Sequence, residues 1–203
     1  IVLALGWAGS ANAGLVLNTT GGGIESVCGG CSPGGTTFGW AFTVSSTITV
    51  DGLGIWDYDA DGIGPSISAG LWLDGGALLT SVVITNSSTL EFPTVEGGWR
   101  FEDIAQLVLT PGNYVIGHTA FPETPSAMVN PGFTTIPEVT YTGPSDSVLS
   151  GSGLISPDGS TLGIPVFGPN LRIAAVPIPG TVYFLGLSQA ARGYSRRKQN
   201  LFS

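Results

Sequence analysis

Glycine and proline interrupt this chain too often for helices to carry its fold: 32 glycines and 14 prolines stand among 203 residues. Between them lie short runs rich in Thr, Val and Ile, whose branched side chains suit a pleated, half-buried surface. The pattern is plainest in one stretch, where Phe38, Trp40, Phe42 and Val44 alternate with Thr37, Gly39, Ala41 and Thr43. A period of two places one set on an apolar face and the other set opposite. Further strand-like runs cover residues 48–56, 67–73, 78–85, 105–109, 114–120, 139–141 and 172–175. Turn residues separate them. Pro111-Gly112, inside Leu109-Thr110-Pro111-Gly112-Asn113-Tyr114, suits the middle of a type II turn and predicts a hairpin. About eight or nine short strands at such spacing predict an all-β fold, an antiparallel β-sandwich of jelly-roll type.

Three segments organise the chain: 1–13, 14–176 and 177–203. The middle one is long enough for a single domain with its own core. Charge divides along the same lines. All fourteen carboxylates lie between Glu25 and Asp158, and Arg100 and Arg172 are the only cations of the 14–176 body, which therefore carries a net −12 and no lysine. Arg192, Arg196, Arg197 and Lys198 crowd the last twelve residues. A field of that sign repels phosphate backbones and argues against nucleic acid as a partner. It suits solubility outside cells, or divalent cations as partners.

Both ends read as addresses. Ile1 to Leu5 form an apolar core, and Ala11-Asn12-Ala13 is a small-x-small site that a signal peptidase cuts, which predicts a partial secretory signal ending at Ala13. The competing reading is a first buried strand. At the other end Val176-Pro177-Ile178-Pro179 stops the preceding strand. An apolar stretch, 180–191, follows, and then the cations, which stay on the cytoplasmic side of a bilayer. As a helix, those twelve residues reach about 18 Å against about 30 Å of hydrocarbon, too short for a comfortable span. A transient signal fits that length better than a permanent anchor does. The competing reading is an apolar C-terminal strand followed by basic residues.

The order Val176-Pro177-Ile178-Pro179, Leu185-Gly186-Leu187, Arg196-Arg197-Lys198 resembles the PEP-CTERM sorting signal of Gram-negative bacteria. Ile178 stands where the commonest form of that motif has Glu. The resemblance covers about 25 residues and implies a membrane enzyme, exosortase, that reads the motif and processes the tail. It also implies transient contact with the inner membrane, then delivery to the cell surface or exopolysaccharide matrix. Within the body, LGIWDYDADGIGPSISAGLWLDGGALL and GWRFEDIAQLVLTPGNYVIG resemble a β-sandwich module common in exported bacterial proteins. That module has no assigned activity.

Few constellations in the body could carry chemistry. Asp57-Tyr58-Asp59-Ala60-Asp61-Gly62 matches the opening of a calcium loop, in which carboxylates two apart converge on the ion. The twelfth position is Ser68 where a bidentate Glu is expected, so the alternative is an acidic turn between strands. Cys28 and Cys31, the only cysteines, predict a local disulfide in an oxidising compartment, with free thiols or a metal as the alternatives. Gly30-Cys31-Ser32-Pro33-Gly34 has the form of a hydrolase elbow, but Pro33 lacks the N–H that an oxyanion hole requires. His118 falls in a strand and reads as structural. Glu102 and Asp103, adjacent on a strand, point to opposite faces and cannot flank one glycosidic bond. Trp40, Trp56, Trp72 and Trp99 could stack on sugars, yet each belongs to an apolar run that suits a core better. Asn18-Thr19-Thr20 and Asn86-Ser87-Ser88 match a glycosylation sequon and carry little weight in a bacterial setting.

The expectation is therefore a non-catalytic surface or matrix protein. Its alternatives are a carbohydrate-binding module, calcium-dependent if the Asp57, Asp59 and Asp61 site forms, and a secreted hydrolase.

Overall fold

A computed structural model describes residues 13–21, 24–27, 31, 35–122, 125–129, 131–146, 153–157, 159 and 166–175. The described residues form fifteen strands and no helix. The strands are β1 (Gly14–Leu15), β2 (Leu17–Gly21), β3 (Ile24–Val27), β4 (Thr36–Val44), β5 (Ile48–Tyr58) and β6 (Ile67–Leu73). Next come β7 (Leu78–Ile84), β8 (Thr89–Thr94), β9 (Gly97–Leu109), β10 (Gly112–Ala120) and β11 (Pro125–Val129). The last four are β12 (Gly132–Thr135), β13 (Val139–Asp146), β14 (Val166–Phe167) and β15 (Pro169–Ile173). They belong to one compact unit, Gly14–Ala174. The expected signal core and the tail after Ala175 lie outside the described residues.

Two five-stranded sheets make the sandwich. A front sheet runs β13-β4-β10-β6-β7 and a back sheet β1-β15-β5-β9-β8, every pair antiparallel. The all-β antiparallel expectation holds. Trp40, Phe42 and Val44 of β4 bury one face of that strand, as the period-two pattern requires. They meet Ile116 of β10, Leu71 of β6, Ile55 of β5 and Leu171 of β15 in the main core. Trp40 also donates its indole N–H to the carbonyl of Pro169 at 2.8 Å, a hydrogen bond from the front sheet to the back one.

On β5 a bulge changes which residues face that core. The register against β9 shifts between Val50 and Gly52, so Ile48 and Val50 point inward before it and Leu53 and Ile55 after it. Trp56 is thereby turned to the far side of the back sheet. There it packs with Trp99, Phe101, Leu15 and Met128 in a second core. The third sheet, β14-β11-β3, covers this core, with β11 lying against β5. A β-carbon on Gly54 would stand 2.7 Å from the ring of Phe101, so only glycine lets that ring lie flat on the strand.

The Pro111-Gly112 turn does not close a hairpin. β9 belongs to the back sheet and β10 to the front sheet, so the turn is an arch between layers. A contact two residues on braces the arch: the Tyr114 hydroxyl donates back to the carbonyl of Thr110 at 2.8 Å. This is the tyrosine-corner arrangement, which holds a strand-to-strand crossing in β-sandwiches. The Asp57–Gly62 turn likewise joins β5 in one sheet to β6 in the other. The paired hairpins are β6–β7 and β8–β9.

On the outer face of the front sheet, Gly39, Gly117 and Gly70 stand in one line across β4, β10 and β6. The 153–157 segment crosses this line. Thr37 donates its hydroxyl to the carbonyl of Gly153 at 3.2 Å and accepts the N–H of Ile155 at 3.1 Å. A β-carbon on Gly117 would come within 3.1 Å of Pro157, and one on Gly70 equally close to Leu154. Gly117 and Gly70 thus make room for the segment that covers them, while Gly39 lets β4 lie close to the backbone of β10.

Replacing Tyr114 with Phe removes the corner hydrogen bond and leaves the ring in place. Urea denaturation is expected to show a loss of about 1 kcal/mol in stability with an unchanged m-value.

Candidate functional site

The Asp57–Gly62 turn is the sequence feature with the most specific chemistry, and the structure gives each of its acids a different environment. Asp57, at the end of β5, is buried with 1% exposure, whereas Asp59 and Asp61 are exposed. Asp57 Oδ2 accepts the Nε–H of Arg100 at 2.6 Å, and Oδ1 accepts the N–H of Gly62 at 3.1 Å. Both carboxylate oxygens are therefore in use. Arg100 donates through Nη1 to the carbonyls of Asn86 at 3.0 Å and Ser88 at 3.3 Å. Asn86 in turn accepts the N–H of Ile63 through Oδ1 at 2.8 Å. One guanidinium thus laces the turn after β5 to the turn before β8.

The backbone of the turn is left-handed at Asp59 and Ala60, with φ of 56° and 57°. Such angles are uncommon outside glycine. Two hydrogen bonds hold them, Asp59 N–H to the Glu96 carbonyl at 3.1 Å and Ala60 N–H to the Asp57 carbonyl at 3.3 Å. Ser68, the twelfth position of the calcium pattern, lies in β6 and donates its N–H to the Thr119 hydroxyl at 3.0 Å. A calcium ion at Asp57 would have to displace Arg100, a cation already in place, so the turn does not fit the metal in this form. Among the described residues, no three His, Cys, Asp or Glu side chains are grouped to hold an ion.

The second arginine is a larger knot. Arg172 of β15 donates through Nε to Asp51 of β5 at 2.7 Å, through Nη1 to Glu91 of β8 at 2.6 Å, and through Nη2 to Asp103 of β9 at 2.5 Å. Its guanidinium also lies 5.6 Å from the centre of the Phe101 ring. Gly52 stands between Arg172 and Asp103 in register, and a β-carbon there would be 3.0 Å from the guanidinium carbon. Burial works against the Arg172 charge, but the hydrogen bonds to Asp103 and Asp51 and the charge of Glu91 outweigh it and raise the pKa. Sequence reading missed this cluster, because its members are far apart in the chain and no local spacing marks them.

The remaining candidates are structural or lie elsewhere. Trp40, Trp56, Trp72 and Trp99 are all buried, at 0 to 4% exposure, so none offers a face to a sugar. Trp56 Nε1 has no hydrogen-bond partner among the described residues; that ring contributes area rather than recognition. Glu102 accepts the hydroxyl of Ser88, while neighbouring Asp103 pairs with Arg172, so these acids are engaged on opposite sides of their strand. Cys31 is buried and disulfide-bonded; Cys28 lies outside the described residues. So do Ala11, Val176, Pro177, Ile178, Pro179, Arg196, Arg197 and Lys198, while Ala13 is described only as the residue before β1. A cleft of about 340 Å³ opens beside Thr19, Thr94 and Glu96. The Thr94 hydroxyl there already donates to the Gly97 carbonyl and accepts the Glu96 N–H.

His118 is fully buried on β10, and its Nδ1–H donates to the carbonyl of Phe38 at 3.1 Å. Burial drives its pKa down to about 4, with the Phe38 hydrogen bond opposing in part.

Comparison with protein-family models, with curated proteins and with solved structures finds no match to this chain.

Two measurements follow from these environments. Arg100→Met strands a buried carboxylate and is expected to cost about 3 kcal/mol in chemical denaturation, with Arg100→Lys recovering part of the loss. A folded-state pKa of about 4 against 6.5 unfolded means that the unfolded chain binds the extra proton between those values. The His118 contribution is then complete above pH 6.5 and is lost as pH falls towards 4, by about 3 kcal/mol in all. His118→Asn should flatten the fall of Tm over that window. Parallel Tm profiles for the two proteins would remove His118 from the account.

Proposed function

We propose that this chain is a non-catalytic exported protein of the cell surface or exopolysaccharide matrix, sorted by its PEP-CTERM-like C-terminal segment. The observation that carries the reading is the division of charge. A lysine-free body at −12 is followed by a Pro-Ile-Pro break, an apolar stretch and four clustered cations. That order directs the body across a membrane and keeps the cations behind. In this reading, signal peptidase cuts after Ala13, and an exosortase-type enzyme recognises Val176-Pro177-Ile178-Pro179. The inner membrane is occupied transiently, and Arg196, Arg197 and Lys198 hold the tail on the cytoplasmic side.

Two features of the folded body support an extracellular destination. Cys31 is in a disulfide, a bond that persists in oxidising compartments. Both arginines of the body are neutralised in ion pairs, which leaves the described surface acidic and suited to dispersal in a hydrated matrix. Polysaccharide is the neighbour that such a location provides. A carbohydrate-binding module would call for exposed aromatic platforms or a clustered Asp57, Asp59 and Asp61 site, and the four described tryptophans are buried.

Deleting residues 177–203 is expected to release the body into the culture medium, as read by immunoblots of medium and surface fractions. Unchanged retention at the surface would count against a sorting role for the tail.

A further inference from the structure

The two large sheets have four edge strands, and three are built so that another strand cannot add to them. β1 is two residues long. β8 carries Glu91, Pro93 and a register break, with Phe92 at a φ of 51°. β13 carries Pro144, with an irregularity beside Gly143. Short length, proline, charge and bulges each stop edge-to-edge pairing. β7 has none of these over most of its length. Its one irregularity falls at Leu79, and Thr80 to Ile84 pair regularly with Leu71 to Ile67. No described strand pairs its other side.

We infer that β7 is the contact by which two copies of this chain join, antiparallel about a two-fold axis, into one continuous ten-stranded front sheet. The occupant is argued from charge. The run from Gly75 to Leu90 contains no ionisable residue, and β7 is the uncharged one among the four edges that is long enough to pair. Elsewhere a body at −12 repels its own copy, so two copies can approach closely only where charge is absent. A cationic foreign segment would be drawn to the acidic faces in preference to β7, which carries no charge to select it. An identical strand, by contrast, matches β7 in length, spacing and hydrogen-bonding groups, and the isologous contact closes on itself. Leu78 and Val83 of β7, exposed at 48 and 58%, add apolar surface along the same edge. Overlap of the regular segments about Val82 sets Ser81 of one copy opposite Val83 of the other. Both side chains are exposed on the outer face, so substituting them leaves the core untouched.

Sedimentation equilibrium on the full chain and on paired charge variants tests this. Wild type is expected to be dimeric in the micromolar range, and more so as salt screens the acidic bodies from each other. The double variant Ser81→Glu, Val83→Glu places like charges opposite one another and is expected to weaken the dimer about tenfold or more. Ser81→Lys, Val83→Lys should weaken its own dimer likewise, and mixing the two variants should restore a dimer through opposite charges. A monomeric wild type, or a dimer that neither pair of substitutions weakens, would overturn the inference. So would variants that dissociate alone but do not recombine, since charge pairing across the strand predicts that they must. Failure of the export reading would leave this result unaffected, because the contact is made by the folded body alone.

Discussion

Two guanidinium groups hold together a surface that otherwise repels itself. Fourteen carboxylates share the body with two cations, and both cations are placed where strands would come apart. Arg172 reaches from β15 to acids on β5, β9 and β8, touching four of the five strands of the back sheet through one planar group. Arginine rather than lysine is required there, because several fixed donors must point to separate acceptors at once. Arg100 performs the corresponding task at the sandwich corner, where Asp57 is buried and the turns at either end of the β6–β7 hairpin meet. The glycines opposite these side chains belong to the same solution, since Gly52 leaves the space that the Arg172 guanidinium fills.

Around this stitched sheet the apolar residues arrange themselves in layers. The bulge at Asp51 gives β5 two inward sets, and Trp56 and its neighbours build a second core under β11. A strand with apolar residues on both faces has to be covered on both, and this explains why a third small sheet exists. The line of glycines on the front sheet achieves covering by another route, with a segment of chain laid directly on the backbone.

The sequence disclosed the local features of this fold and hid the pairings. β4 was readable because alternation is intrinsic to a strand with one buried face, and Trp40, Phe42 and Val44 occupy the core it predicts. The Pro111-Gly112 turn was readable as a turn but not as an arch. Turn chemistry sets the direction of a few residues, whereas the choice of sheet depends on partners far along the chain, Val44 and Leu73 among them. Asp57 showed the same limit. Its spacing to Asp59 and Asp61 suggested an ion, and the cation it meets is Arg100, 43 residues away. The Arg172 cluster left no local trace, because Asp51, Glu91 and Asp103 become neighbours only after three strands are in register. The addresses proposed for the two ends rest on order and charge alone, and apart from Ala13 their residues lie outside the described ones.

The scarcity of cations has a further consequence for resistance to digestion. Proteases of the trypsin type cut after lysine or arginine, and the body offers them Arg100 and Arg172 alone. Each has 12% of its side chain exposed and is clasped by acids within a paired strand, so a specificity pocket cannot receive it without local unfolding. The same two contacts that counter the repulsion of the acidic surface therefore conceal the bonds at which the folded body could be digested.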